Sequence, residues 1–453
     1  MFYRLRSKLS MAVLLFMSCS IAMAHAGEYD LAAYLARVER ENLNLRLSRN
    51  DLDTAHETTA QARSALLPSI AAQGGYTRNL ADIDQSTAVA ADVPPGTNTT
   101  GGTAPLIYED QDSNYDNEYL MALSVTQKIF APDAIASLMQ AKKGEEISRT
   151  TYEATRRNIL NSAKKLYAQT QLANQVLEVM EAAEQTAKEN YQNAERRFEA
   201  GLSAELDLLM AESTWKSSIP ETAEARRNAQ IALISFKTLA GIPNDEEVVL
   251  TENNDEIPTL PEQYDLRDVL AKRPDYEATL LSKEVADIAQ KAAMASFLPS
   301  VDASLTYAKG LYRGYTSSSD SSDYDSFQLG VTVTVPLSTG GYRLSMTKSA
   351  KLAQNEANIA IAQKYNDIEQ ELLSLRLTLE EAYQRIESAG ASESVAQRAL
   401  AMAQTSYANG LGTQYAVNDA LDQYQQARLG VYHALFEYRA AYYDWELATG
   451  KNY

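Results

Sequence analysis

The sequence predicts a mainly helical protein with four membrane-length β-strands, organised as two tandem copies of one unit. Three observations support this fold class. Long segments without helix breakers carry apolar residues at helical spacing, and shorter segments alternate apolar and polar residues. The same landmarks also recur in both halves of the 453-residue chain. Helical segments of this length indicate an elongated protein.

The first 26 residues have the features of an export signal. Three basic residues open this segment, an apolar run follows, and the triplet Ala24-His25-Ala26 fits a small-residue cleavage site. Cleavage after Ala26 would remove Cys19, the only cysteine. The alternative is lipid attachment at Cys19, although the residues before it fit a lipid-attachment box poorly. We therefore expect residues 1–26 to be a signal peptide.

The composition argues against several classes of function. The chain has 41 Lys and Arg against 60 Asp and Glu, and loss of the signal takes its net charge from −19 to −22. Such a chain lacks the basic surface that nucleic-acid phosphates need. One cysteine and three histidines leave a zinc site or a disulfide framework nearly without ligands. Enzymes that use carboxylates alone remain possible on these grounds, but with so few Cys and His residues we expect no enzyme activity, no cofactor and no metal, and the acidic charge predicts no nucleic-acid partner.

Two sets of landmarks reveal the duplication. Leu67-Pro68-Ser69 and Leu298-Pro299-Ser300 each close a helical pattern and stand 231 positions apart. Farther along, two glycine pairs repeat at a spacing of 209, namely Gly201 with Gly410 and Gly241 with Gly450. The change of offset indicates an insertion of about 22 residues in the first copy, which we expect in a loop. The mature chain should therefore comprise a first repeat over 27–242, a linker over 243–264 and a second repeat over 265–453.

The longest helix of the first copy is predicted between Gly144 and Gly201. The 56 residues between these glycines would extend about 84 Å at 1.5 Å per residue. Apolar positions recur there about every 3.7 residues, a spacing typical of nearly straight packing. Comparable patterns cover about 30–66, 204–239, 265–297, 343–408 and 414–448, and only Pro220 interrupts a helical stretch.

Two strands are predicted in each copy. Residues 326–337 alternate most clearly, with apolar residues at every odd-numbered position from Phe327, and residues 119–129 alternate in the first copy. Their partners, near 70–79 and 301–309, alternate less clearly. Each strand has roughly the 9–11 residues of a tilted membrane strand. The connecting segments, 80–117 and 310–325, are polar and predict solvated, disorder-prone loops.

Four strands are too few to close a membrane barrel, since the smallest such barrels use about eight. Either the chain pools its strands with copies of itself, so that three copies supply twelve, or the strands lie outside a membrane. No run of 18 apolar residues follows Ala26, so the sequence predicts no transmembrane helix.

The order of these pieces resembles the TolC-like outer-membrane efflux family, the outer membrane factors. Each copy has a helix, a Leu-Pro-Ser hinge, a β-hairpin, a very long helix, a Gly-Leu turn and a returning helix. Further matching pieces are Val125-Thr126-Gln127-Lys128-Ile129-Phe130, Arg273-Pro274-Asp275, and Val333-Thr334-Val335-Pro336-Leu337 followed by Gly340-Gly341. The resemblance covers nearly the whole mature chain.

The resemblance implies a homotrimer in which a 12-stranded β-barrel in outer-membrane lipid continues as a long α-helical barrel across the periplasm. An equatorial belt would come from residues 243–265, the Pro220 region and the C-terminus. The implied partners are a periplasmic adaptor (membrane fusion) protein and an inner-membrane RND or ABC transporter. The implied function is the exit duct of an efflux or type I secretion system. The competing interpretation is a periplasmic or surface coiled-coil structural protein without a pore.

The resemblance also assigns three residues to the periplasmic entrance. Asp207 and Tyr407 match residues that close it, and Asp419 matches an acidic residue of its constriction. Three copies of Asp419 would form a ring of carboxylates that concentrates cations, whereas the alternative is an ordinary solvated aspartate. Gly412 and Ala416 depart from the family pattern, because an arginine partner and a second aspartate are expected at these positions.

Two turns resemble adaptor-docking tips. They comprise Gly201, Leu202 and Ser203 in the first copy and Gly410, Leu411 and Gly412 in the second. Glycine supplies the left-handed backbone conformation with which a helix ends and the chain turns back. The alternative is that these glycines only end helices and contact no partner.

Overall fold

The computed structural model describes residues 27–78, 80, 86–90, 106–110, 117–251, 257–261, 264–313 and 321–451. The predicted signal peptide, with Cys19 and the cleavage site after Ala26, lies outside these residues. So do parts of the two predicted loops and of the linker. Within the described residues, no helix is both long and apolar enough to cross a membrane.

The helices of the described residues follow the duplication, with four in each copy. The first copy has α1 Leu31–Glu41, α2 Leu43–Ser64, α3 Pro132–Glu199 and α4 Glu205–Leu239. The second copy has α5 Leu266–Lys272, α6 Pro274–Ala295, α7 Tyr342–Ala408 and α8 Gln414–Thr449. The two long helices, α3 and α7, contain 68 and 67 residues. The predicted long helices are therefore confirmed, and α3 continues through Gly144.

The predictions of single helices over 30–66 and 265–297 are wrong, because each region forms two helices. The breaks fall at Asn42 and Arg273, whose backbones are extended, with ψ of 125° and 114°. Arg273 precedes Pro274, and the proline ring disfavours the helical conformation of the residue before it. Asn42 precedes no proline; its side-chain oxygen instead accepts a hydrogen bond from the Leu45 amide at 3.0 Å and begins α2.

The prediction that Pro220 interrupts a helix is also wrong, because α4 continues through this residue. Proline removes one amide donor, but the neighbouring turns retain theirs. In the preceding turn, the hydroxyls of Ser217 and Ser218 donate to the carbonyls of Thr214 and Trp215, each at 2.9 Å. These bonds reach the carbonyls of residues 214 and 215, whereas the carbonyl that loses its helical partner at Pro220 is that of Lys216.

The described strands form three sheets. The strands are β1 Gly27–Tyr29, β2 Ser69–Arg78, β3 Ser86–Ala90, β4 Leu106–Asp110, β5 Asn117–Phe130, β6 Val248–Leu250, β7 Ser300–Arg313 and β8 Ser321–Thr334. Strands β1 and β6 pair in parallel, and β3 pairs antiparallel with β4. The largest sheet has the order β2-β5-β7-β8 and is antiparallel throughout. The four predicted long strands are confirmed, and the β5–β7 pairing joins the two copies.

The two predicted loops are shorter than expected. Within residues 80–117, where we expected only solvated loop, β3 and β4 form a hairpin. Both β7 and β8 extend into the predicted loop over 310–325, because their ladder continues from Ser300–Thr334 to Arg313–Ser321. The connection between β2 and β5 is much longer than that between β7 and β8, and in the described residues it contains the paired strands β3 and β4 in addition to loop.

The chain divides into two compact units. The first comprises Met1–Thr54, Glu146–Ser282 and Ala357–Tyr453, and the second comprises Ala55–Glu145 and Lys283–Glu356. The second unit contains the four-stranded sheet. The first unit contains two hydrophobic cores, one for each copy.

The two cores use equivalent positions of the repeat. The first core consists of Tyr34, Val38, Ala163, Tyr167, Phe236, Ala240 and Ile242. The second core consists of Val269, Ile368, Leu372, Leu379, Ala382, Tyr438, Ala441, Trp445 and Ala448. At the spacings of 231 and 209, Val38 corresponds to Val269 and Phe236 to Trp445. The duplication is therefore visible in the packing as well as in the sequence.

Candidate functional site

The two long helices end in turns of the same construction. Gly201 and Gly410 have φ of +69° and +72°, a region that favours glycine. In both turns the following leucine donates its amide to the carbonyl five residues earlier, at 2.8 Å for Leu202 and 2.9 Å for Leu411. This hydrogen bond is that of a Schellman helix end. Both leucine side chains project into solvent, with exposures of 71% and 87%.

The two turns differ in the residues that follow the leucine. In the second turn, the hydroxyl of Thr413 accepts a hydrogen bond from the Ala416 amide at 3.2 Å and caps α8. In the first turn, Ala204 precedes α4 and provides no side-chain cap. Ser203 follows Leu202 and is half-buried.

Gly412 lies close to the end of α7. A Cβ atom at this position would lie 3.1 Å from the Tyr407 amide nitrogen and 3.2 Å from the Ser406 Cβ. The chain therefore passes too near the helix end for a side chain to fit without displacement of the helix. Glycine therefore fits this tight contact without a shift of the neighbouring atoms, whereas the arginine expected from the resemblance would require one.

Tyr407 contacts a charged residue of the other copy. The guanidinium carbon of Arg197, in the last turn of α3, lies 4.8 Å from the centre of the Tyr407 ring. Burial raises the pKa of the Tyr407 hydroxyl; the positive charge of Arg197 opposes this shift and the negative charge of Asp207 adds to it. Asp207 lies in the first turn of α4, where a carboxylate is favoured by the helix dipole. The fold thus brings two of the three predicted entrance residues, Asp207 and Tyr407, into one electrostatic cluster.

Asp419, the third predicted entrance residue, lies farther along, in α8. Its carboxylate is exposed and accepts a hydrogen bond from the side-chain nitrogen Nε2 of Gln423 at 2.8 Å. Asp422 lies three residues later on the same helix. Partial burial raises the pKa of the Asp422 carboxyl, and the charge of Asp419 raises it further. The chain therefore carries a pair of interacting carboxylates where the sequence analysis identified one.

Sequence reasoning missed Arg197 and Asp422. The spacing of Asp419 and Asp422 was a usable signal, because residues three apart share a helix face. No comparable signal distinguished Arg197 from the adjacent Arg196. Its role depends on Tyr407, which lies 210 residues later in the chain. Within the described residues, no group of three or more His, Cys, Asp or Glu side chains could hold a metal ion.

Comparison with known proteins agrees with this architecture. The family described as outer membrane efflux protein matches residues 35–242 and 266–449. The outer membrane protein TolC of Vibrio cholerae is 23% identical over 402 residues, which cover 85% of this chain and 82% of that protein. The alkaline protease secretion protein AprF of Pseudomonas aeruginosa is 25% identical over 308 residues, 66% of this chain and 59% of AprF. The crystal structure of the CmeC outer membrane channel of Campylobacter jejuni superimposes with a TM-score of 0.76 at 20% identity, covering 93% of this chain and 85% of CmeC.

The duplicated helical hairpins and the four-stranded sheet are thus the fold of an outer-membrane channel. The family match includes both repeats and most of the chain, so this chain belongs to the outer membrane efflux protein family. It is an exit channel of efflux or secretion systems, located in the outer membrane and extending into the periplasm, and it is not an enzyme.

Proposed function

We propose that three copies of this chain form one conduit by joining their sheets into a 12-stranded β-barrel. The observation that carries the proposal is the pair of open edges on the four-stranded sheet. Among the described strands, β2 pairs only with β5, and β8 pairs only with β7. Open strand edges pair readily with other strands. Because strand direction alternates across the sheet, β8 of one copy would run antiparallel to β2 of the next.

The exposed face of β8 supports a membrane location for this barrel. Phe327, Leu329, Val331 and Val333 are between 59% and 77% exposed. They alternate with Gln328, Gly330 and Thr332, so one face of the strand is apolar and the other is not. An outward apolar face that alternates with a polar interior is typical of membrane β-barrels, so outer-membrane lipid is the proposed contact.

The proposed domain organisation follows the duplication. Residues 1–26 are removed as a signal peptide, and residues 243–264 link the repeats over 27–242 and 265–453. The family match over 35–242 and 266–449 supports these boundaries.

The proposed partners are a periplasmic adaptor protein, which contacts the two turns, and an inner-membrane RND or ABC transporter, which supplies the energy. The exposed side chains of Leu202 and Leu411 support the adaptor contact, since two apolar groups at helix ends suit a protein partner. The name of AprF, an alkaline protease secretion protein, supports export of a protein. The cargo class proposed here is accordingly general efflux or type I protein export.

The proposed periplasmic entrance contains Asp207, Tyr407 and Asp419, to which we add Asp422. In a trimer, the two carboxylates of each chain would give six around a narrow axis. Concentrated negative charge attracts cations and favours their passage. The raised pKa of Asp422 implies that this attraction weakens on acidification at a higher pH than for an isolated carboxyl group.

The assembly is tested with purified mature protein in detergent. Light scattering should give a trimer mass, and unheated samples should migrate differently from heated ones on a denaturing gel. Cysteine placed at Ala72 in β2, paired in separate variants with cysteine at Leu329, Val331 or Val333 in β8, should give disulfide-linked trimers for at least one pair. The single-cysteine variants are the controls. A monomer that needs no detergent would contradict the proposal.

The two docking turns are tested by export in cells. Leu202→Asp combined with Leu411→Asp should abolish export while the purified trimer keeps its mass, because the change affects only exposed side chains. Leu352→Asp, on the exposed surface of α7 and away from both turns, is the control. Normal export by the double variant would exclude docking through these leucines.

The carboxylate pair is tested by single-channel recording. Asp419→Asn with Asp422→Asn should reduce cation selectivity, and acidification should reproduce the effect in the unaltered protein. Unchanged selectivity would mean that both are ordinary solvated aspartates.

A further inference from the structure

A small cavity lies where α3 of the first repeat meets the break between α5 and α6 of the second. Its volume is about 110 Å³. Four charged residues contribute to its lining, namely Arg157 of α3, Arg273 at the break, Asp275 of α6 and Glu371 of α7. All four belong to the first compact unit. A water molecule occupies about 30 Å³ in the liquid, so the cavity has room for a small ion.

Arg157 brings a guanidinium to this cavity without an anionic partner. In the described part of the chain, its one hydrogen bond runs from Nη1 to the carbonyl of Lys272, at 2.8 Å. Its Nε is shielded from solvent and has no acceptor among the described residues. A shielded charge that lacks an opposite charge is unfavourable. Arg157 therefore offers both an N–H donor and an unbalanced positive charge to a ligand in the cavity.

The two carboxylates of the cavity are already paired with other cations. Arg273 contacts Asp275 at 2.8 Å and Glu371 at 2.7 Å. Lys364 also contacts Asp275, at 2.7 Å. Three cations, which include Arg157, thus accompany two carboxylates, and one positive charge remains. A ligand that balances this charge is an anion with a single negative charge.

The duplication does not repeat these charges. At the spacing of 209, the residue equivalent to Arg157 is Asn366, and at the spacing of 231 the residue equivalent to Arg273 is Asn42. Both equivalents are neutral. The arrangement of charges is therefore a feature of the second break and of the α3 helix that contacts it.

We propose that this cavity binds a small monovalent inorganic anion such as chloride, with Arg157 Nε as its hydrogen-bond donor. Asn158 also lines the cavity and is exposed, so the ion has access from water. Charge-assisted hydrogen bonds of this kind are stronger than neutral ones. The bound ion joins α3 of the first repeat to the helix break of the second and stabilises their contact. The inference goes beyond the proposed conduit, since every residue of the site belongs to one chain.

The inference is tested on the purified full-length mature protein in detergent. The melting temperature is measured by circular dichroism while chloride replaces gluconate, a bulky organic anion, at constant ionic strength. Relative to Arg157→Gln, the unaltered protein should gain about 2 °C from chloride, because the ion binds only the folded chain. Variants are compared because salts also act on protein surfaces in general. Arg149→Gln is the matched control, since Arg149 is exposed on the same helix and its loss changes the net charge equally.

A second measurement detects the ion directly. The NMR line width of chloride should increase in the presence of the unaltered protein and of Arg149→Gln, and added bromide should reverse the increase. Arg157→Gln should abolish it. If Arg157→Gln does not fold, Arg157→Lys takes its place, and the increase should fall at least about twofold because the Nε donor is lost.

Two results would overturn the inference. One is an equal gain in melting temperature for the unaltered protein and the Arg157 variant. The other is a chloride line width that the Arg157 variant leaves unchanged. Either result would mean that the cavity holds only water. Neither measurement depends on conduction or on the mass of the trimer, so the proposed function is tested separately.

Discussion

The two repeats break their short helices at equivalent points but secure the breaks with different chemistry. In the first repeat, the Asn42 side-chain nitrogen donates to the Leu239 carbonyl at 2.9 Å. In the second, Arg273 Nη1 donates to the Ala448 carbonyl at 3.2 Å. Leu239 and Ala448 are equivalent residues at the ends of α4 and α8. Each break is thus tied to the last turn of the final helix of its own repeat.

The second break has acquired charges that the first lacks. Arg273 pairs with Asp275 at 2.8 Å and Glu371 at 2.7 Å, and Lys364 also contacts Asp275, at 2.7 Å. The Arg273 side chain is only 11% exposed. The only other hydrogen bond described above for the Asn42 side chain is the one that its oxygen accepts from the Leu45 amide. The two repeats thus share one hydrogen bond but differ in the charges around it, so we expect them to respond differently to mutation and to acid.

The largest expected effect is that of Arg273→Ala. This substitution removes the nearly buried guanidinium that pairs with Asp275 and Glu371. We therefore expect a loss of about 3 kcal/mol of unfolding free energy. Asn42→Ala removes a neutral bond and a cap and should cost about 1 kcal/mol. Urea unfolding is followed by fluorescence of Trp445 in the second core, after Trp215→Phe removes the other tryptophan. Equal losses of unfolding free energy for the two variants would show that the charges around Arg273 add no stability beyond that of the Asn42 hydrogen bonds.

A smaller loss of unfolding free energy is expected when the second core is exposed to acid. Burial alone would raise the pKa of Asp275, but hydrogen bonds from Arg273 and Lys364 outweigh it and hold the pKa well below its ordinary value. The stability that Asp275 contributes is therefore complete above an unfolded-state pKa of about 3.9 and is lost as the pH falls below it. Arg273 still has the Ala448 carbonyl, so the loss should stay below that of Arg273→Ala.

The acid effect is measured as the urea midpoint of Trp445 fluorescence between pH 6 and pH 3. Asp275→Asn should remove the added acid sensitivity. The first core is followed in parallel by Phe236→Trp in a chain whose two tryptophans are replaced by Phe, because residues 236 and 445 are equivalent. If the urea midpoint depends on pH equally in the unaltered protein and in Asp275→Asn, the Asp275 carboxylate is not the source of the acid sensitivity.

The next effect concerns the glycines that face the two breaks. Gly241 and Gly450 have φ of +62° and +67°. A Cβ at Gly450 would lie 2.9 Å from the Lys272 Cβ, whereas one at Gly241 would lie 3.2 Å from the Glu41 Cβ. Gly450→Ala should therefore cost about 2 kcal/mol and Gly241→Ala about 1 kcal/mol, since both add left-handed strain and only the first adds a severe contact.

Thermal unfolding with the two core reporters measures these costs. Gly390→Ala on α7, where an added Cβ meets nothing within 4 Å, is the control. If Gly241→Ala lowers the stability as much as Gly450→Ala, the contact distance of the added Cβ does not determine the loss.

The smallest expected effect is the loss of the helix caps before the breaks. Asp30 accepts a hydrogen bond from the Ala33 amide at 2.6 Å, and Asp265 accepts one from the Arg267 amide at 2.9 Å. Either aspartate replaced by alanine should cost about 0.5 kcal/mol, because both capping hydrogen bonds are exposed. Because α1 has 11 residues and α5 only 7, amide exchange should speed up over a larger fraction of α5. Unchanged exchange in both helices would show that the caps are redundant.

Much of the fold was predictable from sequence because it depends on local patterns. Alternation identified the long strands, and the repeated glycines located both helix-ending turns. The break at Asn42 was not predictable, since its hydrogen bond reaches Leu239, 197 residues away. The prediction at Pro220 was wrong because the packing of a long helix can outweigh the loss of one amide donor. In the site, the turns and Asp207 follow from local spacing, whereas the Arg197–Tyr407 contact depends on tertiary structure.

The open edges of the four-stranded sheet have a consequence for biogenesis. Before assembly, each newly exported chain has unpaired backbone amides and carbonyls along the edges of β2 and β8. These edges lie beside the exposed apolar face of β8, and this combination favours aggregation. For the proposed trimer to form, two further copies of the chain must therefore pair with these edges before unrelated strands do. Delivery to the membrane and closure of the proposed barrel should accordingly occur together, with little accumulation of the folded monomer.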